Sequence, residues 1–303
     1  MGKRDLKRIL KECECLDFDM DSKIVFISDV HRGDAGLSDS LIGNKNIYLA
    51  AINYYYKEGY TLVEVGDGDE LWKNKDCKDI AYNYKDVFSI YNRFNSDNRL
   101  YMIYGNHDKI KSKKDFKEQQ RKKFKRIGEN FGEDFINLIA KIKFYEGLVI
   151  NFKPYNKKGL VVHGHQLDIM NNELDFFTRF LVRYFWRVME SFFGFKAPNS
   201  PASSYKKGSK IDKDLNDWAN DNKKILICGH THRVRFPKVG EGIYFNDGSC
   251  VLPHSITSIE INKGLIALVK WSIDIGKDNN LYIKRSFLEG PEMLESYLSF
   301  VNE

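Results

Sequence analysis

The chain has 303 residues, 42% hydrophobic and 14% aromatic, which supplies a large core and excludes a disordered chain. A net charge of +6 implies mild attraction to phosphates, nucleic acid or an acidic membrane surface, too weak by itself to name a partner. Five scattered cysteines, odd in number, lack paired metal spacing and read as free thiols in a reducing compartment.

The N-terminal segment is charged and helix-like, and its Cys13-x-Cys15 lacks the second pair that a metal site needs. No apolar stretch follows Met1-Gly2-Lys3-Arg4-Asp5, so no secretory signal is read. No run approaches the ~20 apolar residues of a membrane span. The expected location is the cytoplasm.

Residues 23–28 (KIVFIS) read as a strand that stops at Asp29-Val30-His31. A helix is predicted over 47–57, then a strand over 61–65 (TLVEV) that stops at Gly66-Asp67. Another helix over 79–94 leads to a strand over 100–104 (LYMIY), which stops at Gly105-Asn106-His107-Asp108. Residues 109–126 carry ten basic side chains and read as a solvated helix, with more helix to about 142. If that run acts, it docks on anionic lipid or on nucleic-acid phosphates.

Residues 159–162 (GLVV) form a predicted strand that stops at His163-Gly164-His165. The stretch NNELDFFTRFLVRYFWRVMESFFGF follows at 171–195, with Arg179, Arg183 and Arg187 at every fourth position on one seam. It is too charged for a membrane span. It reads either as a buried cap helix whose arginines pair with Asp175 and Glu190, or as a lid with arginines for phosphate and aromatics for an apolar group.

Residues 224–228 run into Gly229-His230-Thr231-His232, and short strands are predicted at 243–245, 255–261, 265–272 and 281–288. A last helix, 292–301, is expected on the outside. Alternating strands and helices argue for an α/β fold whose ligands bind beyond the carboxyl ends of strands. The tail predicts a second, more antiparallel sheet. A single domain over 1–303 is expected, with helical insertions at about 109–142 and 166–215.

The polar clusters at strand ends would converge on one sheet edge. Five of the seven histidines lie in them, leaving His165 and His254 over. Alone, Asp67 and Asp69 between glycines could be turn formers, and Gly105-Asn106 a turn dipeptide. Together, carboxylate, amide and imidazole without thiolate suit a divalent transition metal. Asp29 and His31, two apart, would point the same way on extended backbone, as would His230 and His232.

D-x-H (Asp29, His31), G-D-x-x-[DE] (Gly66 to Glu70), G-N-H-D (Gly105 to Asp108), an isolated His before Gly (His163) and G-H-T-H (Gly229 to His232) stand in the order seen in calcineurin-like metallophosphoesterases, which the chain resembles through Ser249. The resemblance implies a two-sheet α/β sandwich in four layers and a metal-dependent phosphoric ester hydrolase. It implies two divalent ions, manganese first and iron or zinc as alternatives. One would be held by Asp29, His31 and His232, the other by Asn106, His163 and His230, with Asp67 bridging. Such a pair generates a nucleophilic hydroxide near neutral pH and clamps the phosphoryl oxygens. In similar enzymes the histidine after the Asn stabilises the transition state or protonates the leaving oxygen; here that is His107, with Asp108 placed to orient it. Glu70 stands where aspartate is commoner.

The insertion between the fourth and fifth motifs resembles in position the lid of UDP-2,3-diacylglucosamine hydrolases, which cut a pyrophosphate in a lipid precursor. That likeness implies a phosphorylated small-molecule or phospholipid-like substrate met by Arg179, Arg183 and Arg187. His165 would sit beside the ligands or face the substrate, and the enzyme could contact an anionic membrane at its inner face. The chain departs from that subgroup at His107, where arginine is often found. A nuclease or nucleotide phosphodiesterase on the same two metals is the alternative, and a non-catalytic scaffold ranks third. No obligate protein partner is evident.

Overall fold

The computed structural model describes residues 2–128, 132–168 and 205–302. Strands β1 (Cys15–Phe18), β6 (Gly147–Phe152), β7 (Lys157–Val162), β8 (Ile225–Cys228) and β9 (Tyr244–Asn246) form a five-stranded sheet in the order β1-β6-β7-β8-β9. Strands β2 (Lys23–Ile27), β3 (Thr61–Val65), β4 (Leu100–Ile103), β5 (Phe144–Tyr145), β10 (Ser255–Asn262), β11 (Leu265–Ile275) and β12 (Leu281–Met293) form a seven-stranded sheet in the order β12-β11-β10-β2-β3-β4-β5. In the larger sheet β2 to β5 run parallel and the tail strands antiparallel.

The strands of the parallel half are apolar at successive positions because both of their faces are covered. Ile24, Phe26, Val63 and Ile103 meet Leu148, Leu160 and Leu226 between the sheets. Helices α1 (Gly2–Glu12) and α7 (Tyr205–Asn222) complete that core with Leu6, Ile9, Leu215 and Trp218. The alternate residues Val25, Leu62 and Met102 face α2 (Lys45–Lys57), α4 (Lys85–Ser96) and α6 (Glu133–Lys141) through Tyr48, Ile52, Phe88, Tyr91, Phe135 and Leu138. The result is a four-layer α/β/β/α sandwich.

Three expectations change. The tail does not make the second sheet: β10 pairs with β2 and extends the first one, while β9 joins β8. The second sheet draws on β1 and β6, whose pairing with each other nothing local announces. The segment expected as one helix over 79–94 breaks at Tyr84 into α3 (Lys78–Asn83) and α4. The last helix is shorter, α8 (Leu294–Leu298), and it buries Leu294, Tyr297 and Leu298 in the inter-sheet core rather than lying outside. In the first insertion, α5 (Phe116–Ile127) is basic and mostly exposed, but α6 is a core helix. Arg179, Arg183 and Arg187 lie outside the described residues. No helix among the described residues is long and apolar enough to cross a membrane.

Candidate metal centre

The strand-end clusters converge, but from two sheets instead of one edge. Loops after β2, β3 and β4 of the larger sheet meet loops after β7 and β8 of the smaller. The strands end before the polar residues do, and those residues leave extended geometry. Asp29 (φ 50), His31 (φ 50), Asp67 (φ 51), His230 (φ 70) and His232 (φ 55) are all left-handed. Their shared direction therefore comes from strained turns and not from strand alternation. Each costs of the order of 1–3 kcal/mol and persists only where the surroundings over-determine it.

Backbone bonds supply that determination. Asp29 N–H donates to the Gly66 carbonyl (3.1 Å), His31 N–H to Asp67 (2.9 Å) and Gly229 N–H to His163 (3.1 Å). Glycines let the loops touch. A Cβ on Gly105 would lie 2.1 Å from Asp67 Oδ1, and one on Gly66, itself at φ +87, would lie 2.5 Å from His163 Cγ.

Two of the three groups of donor atoms hold the expected ligands: Asp29, His31 and His232; and Asp67, His163 and His230. Asp29 Oδ2 accepts from the Ser28 hydroxyl (2.5 Å) and from His230 N–H (2.7 Å), leaving Oδ1 at 3.0 Å from His232 Nε2 and 3.7 Å from His31 Nε2. His31 Nε2 and His232 Nε2 are 3.3 Å apart. Asp67 Oδ1 accepts from His107 N–H (2.8 Å), and Oδ2 lies 3.1 Å from His163 Nε2 and 3.9 Å from His31 Nε2.

These approaches are too poorly aligned to satisfy the atoms. Asp29 Oδ1, His163 Nε2 and both carboxamide atoms of Asn106 are buried without a hydrogen-bond partner. An orphaned buried polar atom costs about 1–3 kcal/mol. Donors each about 2.1 Å from one ion stand roughly 3–3.4 Å apart, so the spacing and the orphaned atoms both fit bound cations.

Charge agrees. Burial opposes ionisation of Asp29, yet His232 and His31 outweigh it and hold the carboxyl well below its usual range. Asp67 is likewise lowered despite burial, by His163 and His107. Burial would lower His31, but Asp29 and Glu70 raise it to about 10; His163, also against burial, is raised by Asp67 and Asp29 to about 9. Burial lowers His230, and burial together with His163 and His230 holds His165 well below the imidazole range.

His107 sits at the rim, with Nε2 3.9 Å from Asp67 Oδ2. Its orienting carboxylate is Glu70 and not Asp108, a correction to the expected pairing. Glu70 Oε1 is 2.8 Å from His107 Nδ1, and Oε2 is 3.3 Å from His31 Nδ1. Asp108 is turned away: Oδ1 accepts from Gly105 N–H (2.7 Å), and Oδ2 pairs with Lys111 Nζ (2.6 Å). His31, Glu70 and His107 form a third group of donor atoms, in which His31 Nδ1 is buried without a hydrogen-bond partner. His165 is buried beside the site, its ring 5.5 Å from that of His163.

Residues without a motif position support the cluster. Ser249 Oγ lies 3.4 Å from His232 Nδ1, Asp168 Oδ2 3.4 Å from His230 Nε2, and the Val65 carbonyl 2.8 Å from His163 Nδ1. Ser28 Oγ also lies 2.6 Å from Oδ1 of buried Asp247, whose carboxyl burial raises well above its usual range. None carries a signal of its own: Ser28 and Val65 adjoin the motifs without belonging to them, and Ser249, Asp168 and Asp247 meet the cluster only through the fold.

Beneath the loops lies a buried ionic network. Arg32 pairs with Glu64 (2.7 Å) and Asp69 (2.7 Å), while Lys111 pairs with Asp69 (2.7 Å) and Asp108 (2.6 Å). Burial would raise Asp69, but Arg32 and Lys111 hold it at about 2. Lys111→Met leaves two buried carboxylates undercompensated and is expected to lower stability by about 3–5 kcal/mol. A urea midpoint unchanged from wild type would refute this.

The sequence profile of the calcineurin-like phosphoesterases matches residues 22–234. No curated protein sequence matches the chain. Among solved structures, vacuolar protein sorting 29 from Cryptosporidium parvum is 16% identical over 90% of this chain and 100% of its own, with a TM-score of 0.37. A mutant cold-active protein tyrosine phosphatase is 13% identical over 91% of this chain and 82% of its own, with a TM-score of 0.40. The profile spans all five strand-end clusters and more than half of the sequence, and the chain belongs to the calcineurin-like phosphoesterase family.

Proposed function

We propose that the protein hydrolyses a phosphate ester or diphosphate at a centre of two divalent ions, with manganese as the first candidate and iron or zinc as alternatives. Asp29, His31 and His232 would hold one ion, and Asn106, His163 and His230 the other, with Asp67 between them. The observation that carries this reading is Asp67: one oxygen is pinned by His107 N–H, and the other faces His163 and His31 across the gap between the two groups. The donor set supports hard-to-borderline metals, since no cysteine enters either group among the described residues.

Bound ions would supply Lewis acidity, easing ionisation of water near neutral pH and offsetting charge on the phosphoryl oxygens. The chain does the rest. Asp29, Asp67 and their imidazole partners fix the reacting groups on strained but braced loops. His107, held at Nδ1 by Glu70, presents Nε2 to the rim, where it donates a proton to the leaving oxygen. Water contributes the new oxygen on phosphorus and releases a proton to solvent. The bond to the leaving group breaks with its electron pair on the leaving oxygen, the proton from His107 neutralises that oxygen, and His107 regains a proton from solvent.

The substrate we favour is amphiphilic, because the arginine and aromatic residues of 171–195 suit a phosphate with an apolar tail. A nucleotide phosphodiester is the second reading, supported by the exposed basic face of α5 shortly after the Gly105–Asp108 loop. Purified protein should carry up to about two ions per chain and cleave p-nitrophenyl phosphate or bis-p-nitrophenyl phosphate. Metal-loaded protein that is inert on monoesters, nucleotide diesters, diphospholipids and DNA would sink the proposal.

A further inference from the structure

The centre leaves one prominent neighbour of His107 without a task. Trp72 is 3% exposed and lies in the loop that follows Glu70. Its indole stacks on the His107 imidazole at 4.1 Å between centroids, with the planes 20° apart. Its Nε1–H donates to the carbonyl of Asn106 (2.8 Å), and its backbone N–H donates to Glu70 Oε1 (3.2 Å), the same oxygen that faces His107 Nδ1. The ring of His31 meets His107 nearly edge-on at 4.7 Å.

These contacts enclose the imidazole. Trp72 covers one face, Glu70 occupies Nδ1, His31 stands against the ring, and the edge carrying Nε2 is left toward Asp67. The indole also grips the peptide that joins Asn106 to His107. One side chain therefore holds both the peptide that carries His107 and the face against which its imidazole rests. A displacement of about 1 Å in such a group can cost about 10²-fold in rate, which is the scale on which a positioning contact acts.

We propose that Trp72 is a positioning residue for proton donation by His107: its indole face holds the imidazole, and its N–H holds the Asn106 peptide in register. This inference rests on the reading of His107 as proton donor, and the two can be tested apart. A p-nitrophenolate leaves without help from a proton, whereas an alkoxide does not, so loss of positioning should appear as a dependence on the leaving group.

The experiment compares wild type, Trp72→Phe, Trp72→Leu and His107→Ala, each loaded with manganese, on p-nitrophenyl phosphate and glycerol 2-phosphate. If the enzyme prefers diesters, bis-p-nitrophenyl phosphate and glycerophosphocholine take their place. Metal content and thermal midpoint are measured alongside. Trp72→Leu is expected to lose about 10²-fold in kcat on the alkyl ester and no more than about fivefold on the aryl ester, with wild-type metal content. Trp72→Phe keeps an aromatic face in the same space and lacks the N–H; about a tenfold loss on the alkyl ester is expected. It also serves as the readout if the leucine variant does not fold.

Equal losses on both esters in the Trp72 variants, or none, would overturn the positioning role while a selective loss in His107→Ala leaves the donor role standing. Equal losses in His107→Ala would overturn the donor role, and the inference with it. A metal-depleted Trp72→Phe would show that the indole acts through ion binding, which also contradicts the proposal.

Discussion

Asp67→Asn is expected to lower kcat/KM by about 10³-fold or more, the scale seen when one member of a cooperating catalytic group is lost. The substitution is nearly isosteric. The new carboxamide oxygen can still accept the His107 N–H that now reaches Oδ1 at 2.8 Å, so the loop should keep its shape. What disappears is the charge on Oδ2, the atom 3.1 Å from His163 and 3.9 Å from His31. Metal analysis should show at least one ion lost per chain, and added manganese should restore little activity. Full metal content with wild-type turnover would remove Asp67 from the bridging role. Asp108→Asn provides the contrast: its carboxylate serves Lys111 and the Gly105 N–H, so it should weaken stability more than chemistry.

Combined affinity for the two ions should climb steeply with pH, by about 100-fold per unit between pH 6 and 8 and about tenfold for each ion, because one proton must leave as each ion loads. The sign follows from His31 and His163. In the metal-free protein their partners outweigh burial and raise them to about 10 and about 9, so both are protonated at neutral pH. A cation takes the place of those protons, and each adds one power of ten per pH unit below its pKa. Calorimetric titration in buffers of different ionisation enthalpy counts the protons directly. Release of none at pH 7 would contradict the assignment of these imidazoles. The same shifts act on the metal-free fold. Their stabilisation is fully present below the unfolded imidazole pKa near 6.5 and is lost as pH rises through about 9 and 10. Metal should therefore protect most in alkaline solution, which a melting series with and without manganese would reveal.

Much of the larger sheet was legible because its parallel strands are short apolar runs that stop in polar clusters. The buried positions of residues 61–65 (TLVEV) are apolar save for Glu64, whose carboxylate holds Arg32 beneath the loops. The second sheet was hard to read for a physical reason. β1 and β6 pair across more than a hundred residues, and nothing local marks either as a partner of the other. The same limit hid Ser28 with Asp247, Ser249 with His232, and Asp168 with His230, contacts made by chain segments distant in sequence or, for Ser28, by a residue with no signal of its own.

The orienting carboxylate shows the difference most clearly. Asp108 adjoins His107 in sequence, and proximity along the chain made it the natural choice. Adjacent side chains diverge, however, and Asp108 is drawn down to Lys111, while Glu70 arrives from another loop with both oxygens near imidazoles. The sequence by itself determined the chemistry: carboxylates, an amide and imidazoles, each at the end of an apolar run, in an order that names a family. Only the tertiary structure decided the geometry, namely which sheet each loop leaves, which strained turn aims each donor and which carboxylate braces each ring. Residue type and strand period are local properties, whereas convergence depends on pairings that the chain makes only when it folds.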